Sequence, residues 1–143
     1  MTVIFSKKCE LALQAVLYLA SQPEEMIFNA KDIADSLKIP KEFVSKILQS
    51  LTSSGIVNSK KGKNGGFSIG KKPSEIYLID IVKAIDGLTI FENCVLGFPD
   101  CCPEKPCPVH DEWGIIRDEA FKMLSHYTLE ELRDKTIKKI RQL

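Results

Sequence analysis

The sequence of 143 residues predicts a mostly α-helical fold: a winged helix-turn-helix DNA-binding domain with a two-stranded wing, plus a long carboxy-terminal dimerisation helix. Two short helical patterns in succession, a lysine-rich hairpin pattern directly behind them, and a wide apolar stripe on a later helix support this class. We expect a DNA-binding domain over residues 1–75, a linker helix with a cysteine-rich loop over 76–109, and a dimerisation helix with a final helix over 110–143.

The first two-fifths of the chain show the periodicity of three amphipathic helices. The first covers residues 6–21 and has Ser6 as its N-cap; the second, a short one, is capped by Asn29. The third begins with a proline in its first turn and ends at Gly55, which we expect in the left-handed conformation. Its apolar stripe, predicted to be buried, consists of Phe43, Val44, Ile47, Leu48 and Leu51.

A hairpin pattern follows the third helix at once. Two short β-prone runs, Ile56–Lys60 and Gly66–Ile69, flank a turn of glycine and asparagine. Residues 58–72 contain five lysines and no acidic residue, which suits a wing that lies on phosphates. The predicted DNA contacts are Lys41, Glu42, Ser45, Lys46 and Gln49 on the third helix and Lys60, Lys61, Lys63 and Asn64 in the wing.

Lysines in such a surface are expected mostly on phosphates, whereas Glu42 and Ser45 are the candidates for base edges. Downstream, a long helix is predicted from about His110 to His126, followed by a Thr-x-x-Glu capping box before the final helix. The apolar stripe of the long helix is wider than packing on one small core requires, so we expect it to form the interface of a homodimer. The predicted interface residues are Trp113, Ile116, Ala120, Met123 and Leu124.

The segment from Cys94 to Trp113 holds four of the five cysteines and one of the two histidines. A tetrahedral zinc site is one reading, but zinc sites usually pair two tight elbows, and the vicinal cysteines cannot easily both bind one ion. Widely spaced thiolates across a Gly/Pro-rich loop suit an iron–sulfur cluster better. Cys9, in contrast, falls on the apolar face of the first helix and is expected to be a small buried side chain.

Composition excludes several other classes. No apolar run is long enough for a membrane span and the start of the chain lacks signal-peptide features, so we expect a cytoplasmic protein with reduced thiols and no membrane partner. The chain shows no nucleophile–base pairing, no phosphate-binding glycine motif and no His-Glu-x-x-His, so an enzyme is not expected. An iron–sulfur electron carrier is an alternative, but it would not need the wing.

Two stretches resemble a known family. The run "GIVNSKKGKNGGFSIGKKPSEIYLIDIVKAIDG" resembles the wing and linker of the Rrf2 family of bacterial transcription regulators, and "CPVHDEWGIIRDEAFKMLSHYTLEEL" resembles its long dimerisation helix. The resemblance extends over residues 2–135. It implies a homodimeric winged-helix regulator of double-stranded promoter DNA, with a cysteine loop that holds an iron–sulfur cluster. Within the family, the alternative is a regulator without a cluster, controlled by a protein partner, by thiol oxidation or by zinc.

The resemblance also implies ligands. Cluster-binding members use three cysteines of the loop, which here are Cys94, Cys101 and Cys107, with Cys102 as the alternate for Cys101. The fourth ligand is expected to be His110, as in members with a [2Fe–2S] cluster, or Glu10, where other members supply a carboxylate from the partner's first helix. A [2Fe–2S] cluster is favoured over [4Fe–4S], and protein purified in air is expected to lose it.

Overall fold

The computed structural model describes residues 4–143, which form six α-helices and one two-stranded antiparallel sheet. This confirms the predicted fold class, because the sheet follows the third helix directly and the fifth helix is the longest. The elements are α1 (Lys7–Ser21), α2 (Ala30–Leu37), α3 (Lys41–Thr52), β1 (Val57–Lys60), β2 (Gly66–Ile69), α4 (Leu78–Ile85), α5 (His110–His126) and α6 (Arg133–Arg141).

Helix α1 is the centre of the hydrophobic core, and it packs against α3, α4 and α6. Its start is fixed as predicted, since the Ser6 hydroxyl oxygen accepts a hydrogen bond from the Cys9 amide at 3.0 Å. The predicted cap of α2 also forms: Asn29 Oδ1 accepts from the Asp32 amide at 2.8 Å. Side chains at these positions satisfy amide groups that have no partner inside the helix.

Helix α3 faces the core with the predicted stripe except for its first member. Phe43 is 54% exposed, so its predicted burial is wrong. Consecutive helical residues are rotated by about 100° from each other, so Phe43 lies to the side of the buried stripe, in the first turn. Gly55 has the predicted positive φ, of 79°, but the helix itself ends earlier, at Thr52. The buried residues of α3 are Val44, Ile47, Leu48 and Leu51.

The wing forms in the predicted place, with Val57 opposite Ile69 and Lys60 opposite Gly66. Strand β2 is attached to the segment before α2 by a pair of backbone hydrogen bonds between Phe28 and Phe67, of 2.7 and 2.8 Å, near the turn end of the hairpin. The second strand of the wing is therefore held close to its turn, and only residues 61–65 lie beyond this attachment.

The wing can be tested through Gly66, which has a φ of 153° and lies against the backbone of Phe28. A Cβ on residue 66 would come within 2.4 Å of the Phe28 carbonyl oxygen. We expect Gly66→Ala to lower the free energy of unfolding by about 2 kcal/mol, measured by urea denaturation. Gly114 in α5 is the control, because an added Cβ there meets no heavy atom nearer than 3.8 Å. Gly114→Ala is expected to be neutral or stabilising by up to about 1 kcal/mol; equal losses in the two variants would contradict the argument.

The end of α4 is tied to the beginning of α1. Both the amide and the hydroxyl of Ser6 donate to the Asp86 carboxylate, at 2.8 and 2.5 Å. The carboxy-terminal part returns to the same core through the predicted capping box, in which the Thr128 amide donates to Glu131 and the Glu131 amide donates back to Thr128. Regular helix begins only at Arg133, two residues after the box ends.

The core draws side chains from all three segments that the sequence suggested. Ile76, Ile81 and Leu129 are at most 1% exposed and belong to the same cluster as the buried faces of α1 and α3. Within residues 4–143, none of the helices combines the length and the apolar character that crossing a membrane would require.

Candidate DNA-binding surface and cysteine site

The outer face of α3 is polar. Lys41, Glu42, Lys46 and Gln49 are exposed there, and Ser45 is half-buried. All five lie away from the buried stripe because α3 uses that stripe to contact α1 and α2. The side chains predicted to contact DNA on this helix are therefore accessible from outside, apart from the partial cover on Ser45.

The wing presents a second polar surface. Lys60, Lys61, Lys63 and Asn64 are all exposed. Among the described residues, none of the three lysines has a carboxylate within salt-bridge distance. Their charges are therefore free to meet phosphates, whose neutralisation releases condensed counterions.

Three cysteines of the loop between α4 and α5 come together. The Sγ atoms of Cys94, Cys101 and Cys107 all lie within 4.8 Å of one another, and each residue is half-buried. No other group of three potential metal ligands is found within residues 4–143. Three soft donors at this spacing can face one shared metal centre.

The environment of the sulfurs favours one thiolate in particular. Burial acts to raise the pKa of Cys94, but the amides of Phe98 and Leu96 and the neighbouring thiols hold it below its ordinary value. Burial and the adjacent thiols raise the pKa of Cys107, against the opposing effect of the Val109 amide. A metal cation would relieve this competition, because it stabilises all three sulfurs as thiolates.

His110, the first residue of α5, lies next to this group. Its Nδ1 atom is 3.2 Å from the Cys101 sulfur, although the ring does not lie close to all three thiols. The start of α5 therefore brings an imidazole to one side of the three grouped sulfurs.

The two alternate ligands lie outside the triad. The backbone of Cys102 pairs with that of Lys105, and the Cys102 thiol lies beside the Glu104 carboxylate. Hydrogen bonds from the Glu104 backbone and from the Cys102 thiol hold the pKa of the Glu104 carboxyl below its usual value. Glu10 is on α1 and forms an ion pair with Lys7 at 3.6 Å. Within one subunit neither side chain joins the three grouped sulfurs.

Cys9 is fully buried, as expected for a small core side chain. Burial, together with the charge and hydrogen bonding of Asp86, raises its pKa to about 12. Cys9 is therefore a protonated thiol at neutral pH, and it is distinct in chemistry from the loop cysteines.

Helix α5 exposes most of its apolar side chains. Ile116 and Met123 are each 57% exposed, and Trp113 and Ala120 are half-buried. Leu124 differs, because it is only 3% exposed in the single chain and is covered by the chain's own core. Its predicted place in a dimer interface therefore needs correction: Leu124 anchors α5 to its own subunit and leaves almost no surface for a partner.

Two features of the site were not found from the sequence. The amides of Leu96 and Phe98 face the Cys94 sulfur, and the Trp113 indole donates to the Asn93 carbonyl at 3.1 Å. Backbone donors carry no sequence signal. The only sequence signal for the second contact is the indole N–H of Trp113, which usually finds a hydrogen-bond acceptor nearby.

Comparison with known proteins agrees with this architecture. A protein of Aquifex aeolicus (strain VF5) named as an HTH-type transcriptional regulator is 33% identical over 133 residues, which is 91% of each chain. The HTH-type transcriptional regulator YffB of Lactococcus lactis is 30% identical over 132 residues, and the alignment covers 89% of this chain and 85% of that protein.

Solved structures show the same fold. CymR (YrzC), the global cysteine regulator of B. subtilis, has a TM-score of 0.77 and 26% identity, with 94% of this chain and 98% of that chain covered. IscR of T. potens superimposes with a TM-score of 0.71 at 22% identity, over 97% and 90% of the two chains.

The family model described as Rrf2, an iron-dependent transcriptional regulator, matches residues 5–135. This range contains the wing, the three grouped cysteines and the whole of α5. A winged helix-turn-helix fold with three exposed lysines in its wing fits such a regulator. The chain belongs to the Rrf2 family of transcriptional regulators.

Proposed function

We propose that the protein is a homodimeric, sequence-specific DNA-binding regulator whose DNA affinity is set by an iron–sulfur cluster. The observation that carries the proposal is the grouping of the Cys94, Cys101 and Cys107 sulfurs within 4.8 Å, directly before the dimerisation helix. The exposed α3 face and the lysine-rich wing supply the DNA-binding surface. The sensor and the DNA reader thus lie in one short chain.

The donor set fits a cluster. Three thiolates with amide groups directed at sulfur are the usual environment of iron–sulfur centres, where hydrogen bonds to sulfur tune the potential. His110 would be the fourth ligand, since its Nδ1 already lies 3.2 Å from Cys101, and three cysteines with one histidine suit a [2Fe–2S] centre. When bound, the cluster would supply one-electron redox chemistry, and it could dissociate from its protein ligands. An imidazole ligand adds sensitivity near neutral pH, because protonation competes with iron for the nitrogen.

The loop is in a position to transmit its state to α5. The first half of α5 is attached to the loop by the Trp113–Asn93 hydrogen bond, and Phe121 stacks edge-on against Phe91 at 5.2 Å between ring centres. Ordering the loop around a cluster would therefore fix the direction of α5. Since α5 forms the proposed dimer interface, that direction sets the distance between the two α3 helices, which must match half-sites about 34 Å apart.

The dimer itself is proposed from the surface of α5. Ile115, Ile116 and Met123 are each more than half exposed on this one helix. Contiguous exposed apolar surface of this kind is costly in water unless a partner covers it. A second copy suits the surface because a two-fold reader of DNA requires a two-fold interface.

Anaerobic purification followed by iron and sulfide analysis tests the cofactor. We expect iron and acid-labile sulfide in equal amounts, with visible absorption, and a dimer by light scattering. Selection from a random duplex library should then yield a two-fold site, bound with an affinity that changes at least about ten-fold when iron is removed. A monomer that binds no duplex with or without iron would overturn the proposal.

A second candidate is an Rrf2-type regulator with a structural zinc ion on the same residues. It is supported by the short sulfur–sulfur distances, because thiolates on one tetrahedral zinc lie about 3.8 Å apart, given a Zn–S bond of about 2.3 Å. The same elemental analysis separates the two candidates: zinc without sulfide and without colour would select this one.

A further inference from the structure

The first turn of α3 carries an exposed aromatic ring that core packing does not explain. Phe43 is 54% exposed, although the neighbouring Val44 is fully buried. Its exposed neighbours on the helix are Lys41, Glu42 and Lys46. An aromatic ring that is exposed in the free protein stabilises a complex when a partner covers it and removes it from water.

A protein partner does not fit this ring well. Protein interfaces use contiguous apolar patches, whereas the exposed residues around Phe43 on α3 are charged or polar. Helix α5, in contrast, presents three large exposed apolar side chains together, Ile115, Ile116 and Met123. An isolated ring beside two lysines and one glutamate instead suits a partner that carries anionic groups and offers a small apolar group.

The major groove of DNA has these properties. The first residues of a recognition helix reach the base edges, and Phe43 is the third residue of α3. A phenyl ring can neither donate nor accept a conventional hydrogen bond, and the apolar group on the major-groove edges is the C5-methyl of thymine. We propose that Phe43 is a specificity-determining residue that packs on a thymine methyl group in each half-site.

This proposal rests on the proposed DNA-binding function, and the experiment distinguishes a failure of the Phe43 assignment from a failure of DNA binding itself. A duplex is first selected with the wild-type protein, and each dT is then replaced singly by deoxyuridine, which removes only the methyl group. Affinities are measured by fluorescence anisotropy for wild type, Phe43→Ala and Phe43→Leu. Leu143→Ala is the matched control, because this residue is 50% exposed and lies at the end of the chain beside α6.

We expect deoxyuridine at one or two positions of each half-site to weaken wild-type binding roughly four-fold, the change that accompanies loss of one buried methyl group. Phe43→Ala should bind the parent duplex about ten-fold more weakly and should not respond to deoxyuridine at those positions. If Phe43→Ala binds too weakly to measure, Phe43→Leu must show the reduced response. Leu143→Ala should keep the wild-type pattern. Melting temperatures confirm that the variants are folded.

The proposal is overturned if Phe43→Ala and wild type respond to deoxyuridine alike, while both still select a duplex. It is also overturned if Phe43→Ala alters the dimer rather than DNA affinity, since the ring would then be a protein contact. If the wild type selects no duplex at all, the DNA-binding function itself has failed, and the inference falls with it.

Discussion

Replacing Cys101 with alanine is expected to abolish cluster binding, whereas replacing the adjacent Cys102 is expected to leave it intact. The reason is geometric: Cys101 is one of the three grouped sulfurs and contacts His110, while the Cys102 thiol lies beside Glu104. Anaerobically purified Cys101→Ala should contain less than about a tenth of the wild-type iron and sulfide. Loss of one thiolate and of a fourth-ligand contact together should cost well over ten-fold in metal affinity.

The same pair of variants tests the link between cluster and DNA. Cys101→Ala should bind the selected duplex with the affinity of iron-free wild type, differing at least about ten-fold from the iron-loaded protein. Cys102→Ala should follow the loaded wild type. The two variants remove the same group from neighbouring residues, so a general effect on loop stability would appear in both. Equal iron loss in both variants, or unchanged iron in Cys101→Ala, would show that the ligand assignment is wrong.

The second large effect is expected in the wing. Lys60, Lys61 and Lys63 are exposed and have no carboxylate partner among the described residues. If each contacts a phosphate in both subunits, changing all three to alanine removes six contacts from the complex. The slope of log affinity against log salt concentration, which is negative, should then become less steep by about five. Affinity at 0.1 M salt should drop by at least about 100-fold, measured by anisotropy at several salt concentrations.

The control is a second triple variant that removes the same number of positive charges from a helix outside the wing. Lys135, Lys138 and Lys139 are three exposed lysines of α6, and none of the predicted DNA contacts lies on that helix. Changing them to alanine alters net charge by the same amount and should leave the salt slope close to that of wild type. Similar slopes in the two triple variants would mean that only net charge matters and that the wing makes no specific phosphate contacts.

Local signals in the sequence were sufficient for most of the fold. Ser6 and Asn29 mark helix starts through their own side-chain oxygens, and the wing turn is encoded by glycine and asparagine, so neither depends on distant residues. The long helix was predicted from His110 to His126 and begins and ends there. The grouping of loop cysteines was also predictable in outline, because thiols this dense in a short loop need a common partner.

The remainder depended on tertiary structure. Periodicity placed Phe43 and Leu124 on apolar faces, but it could not show which element covers each face. Phe43 is exposed and Leu124 is covered by its own chain, which reverses both predictions. The choice between Cys101 and Cys102 was open for a similar reason. Adjacent residues have the same sequence context, and only the turn that joins Cys102 to Lys105 directs one thiol away from the group.

The sharing of one core by distant segments has a consequence for the regulator's turnover. Leu129, near the end of the chain, and Ile76, just after the wing, both close the interior around α1. We therefore expect a substitution that loosens this interior to expose both the cysteine loop and the wing to proteolysis at the same time. Cells carrying such a change are then expected to lose the whole regulator, and not to accumulate a stable fragment that keeps the wing but lacks the cysteine loop.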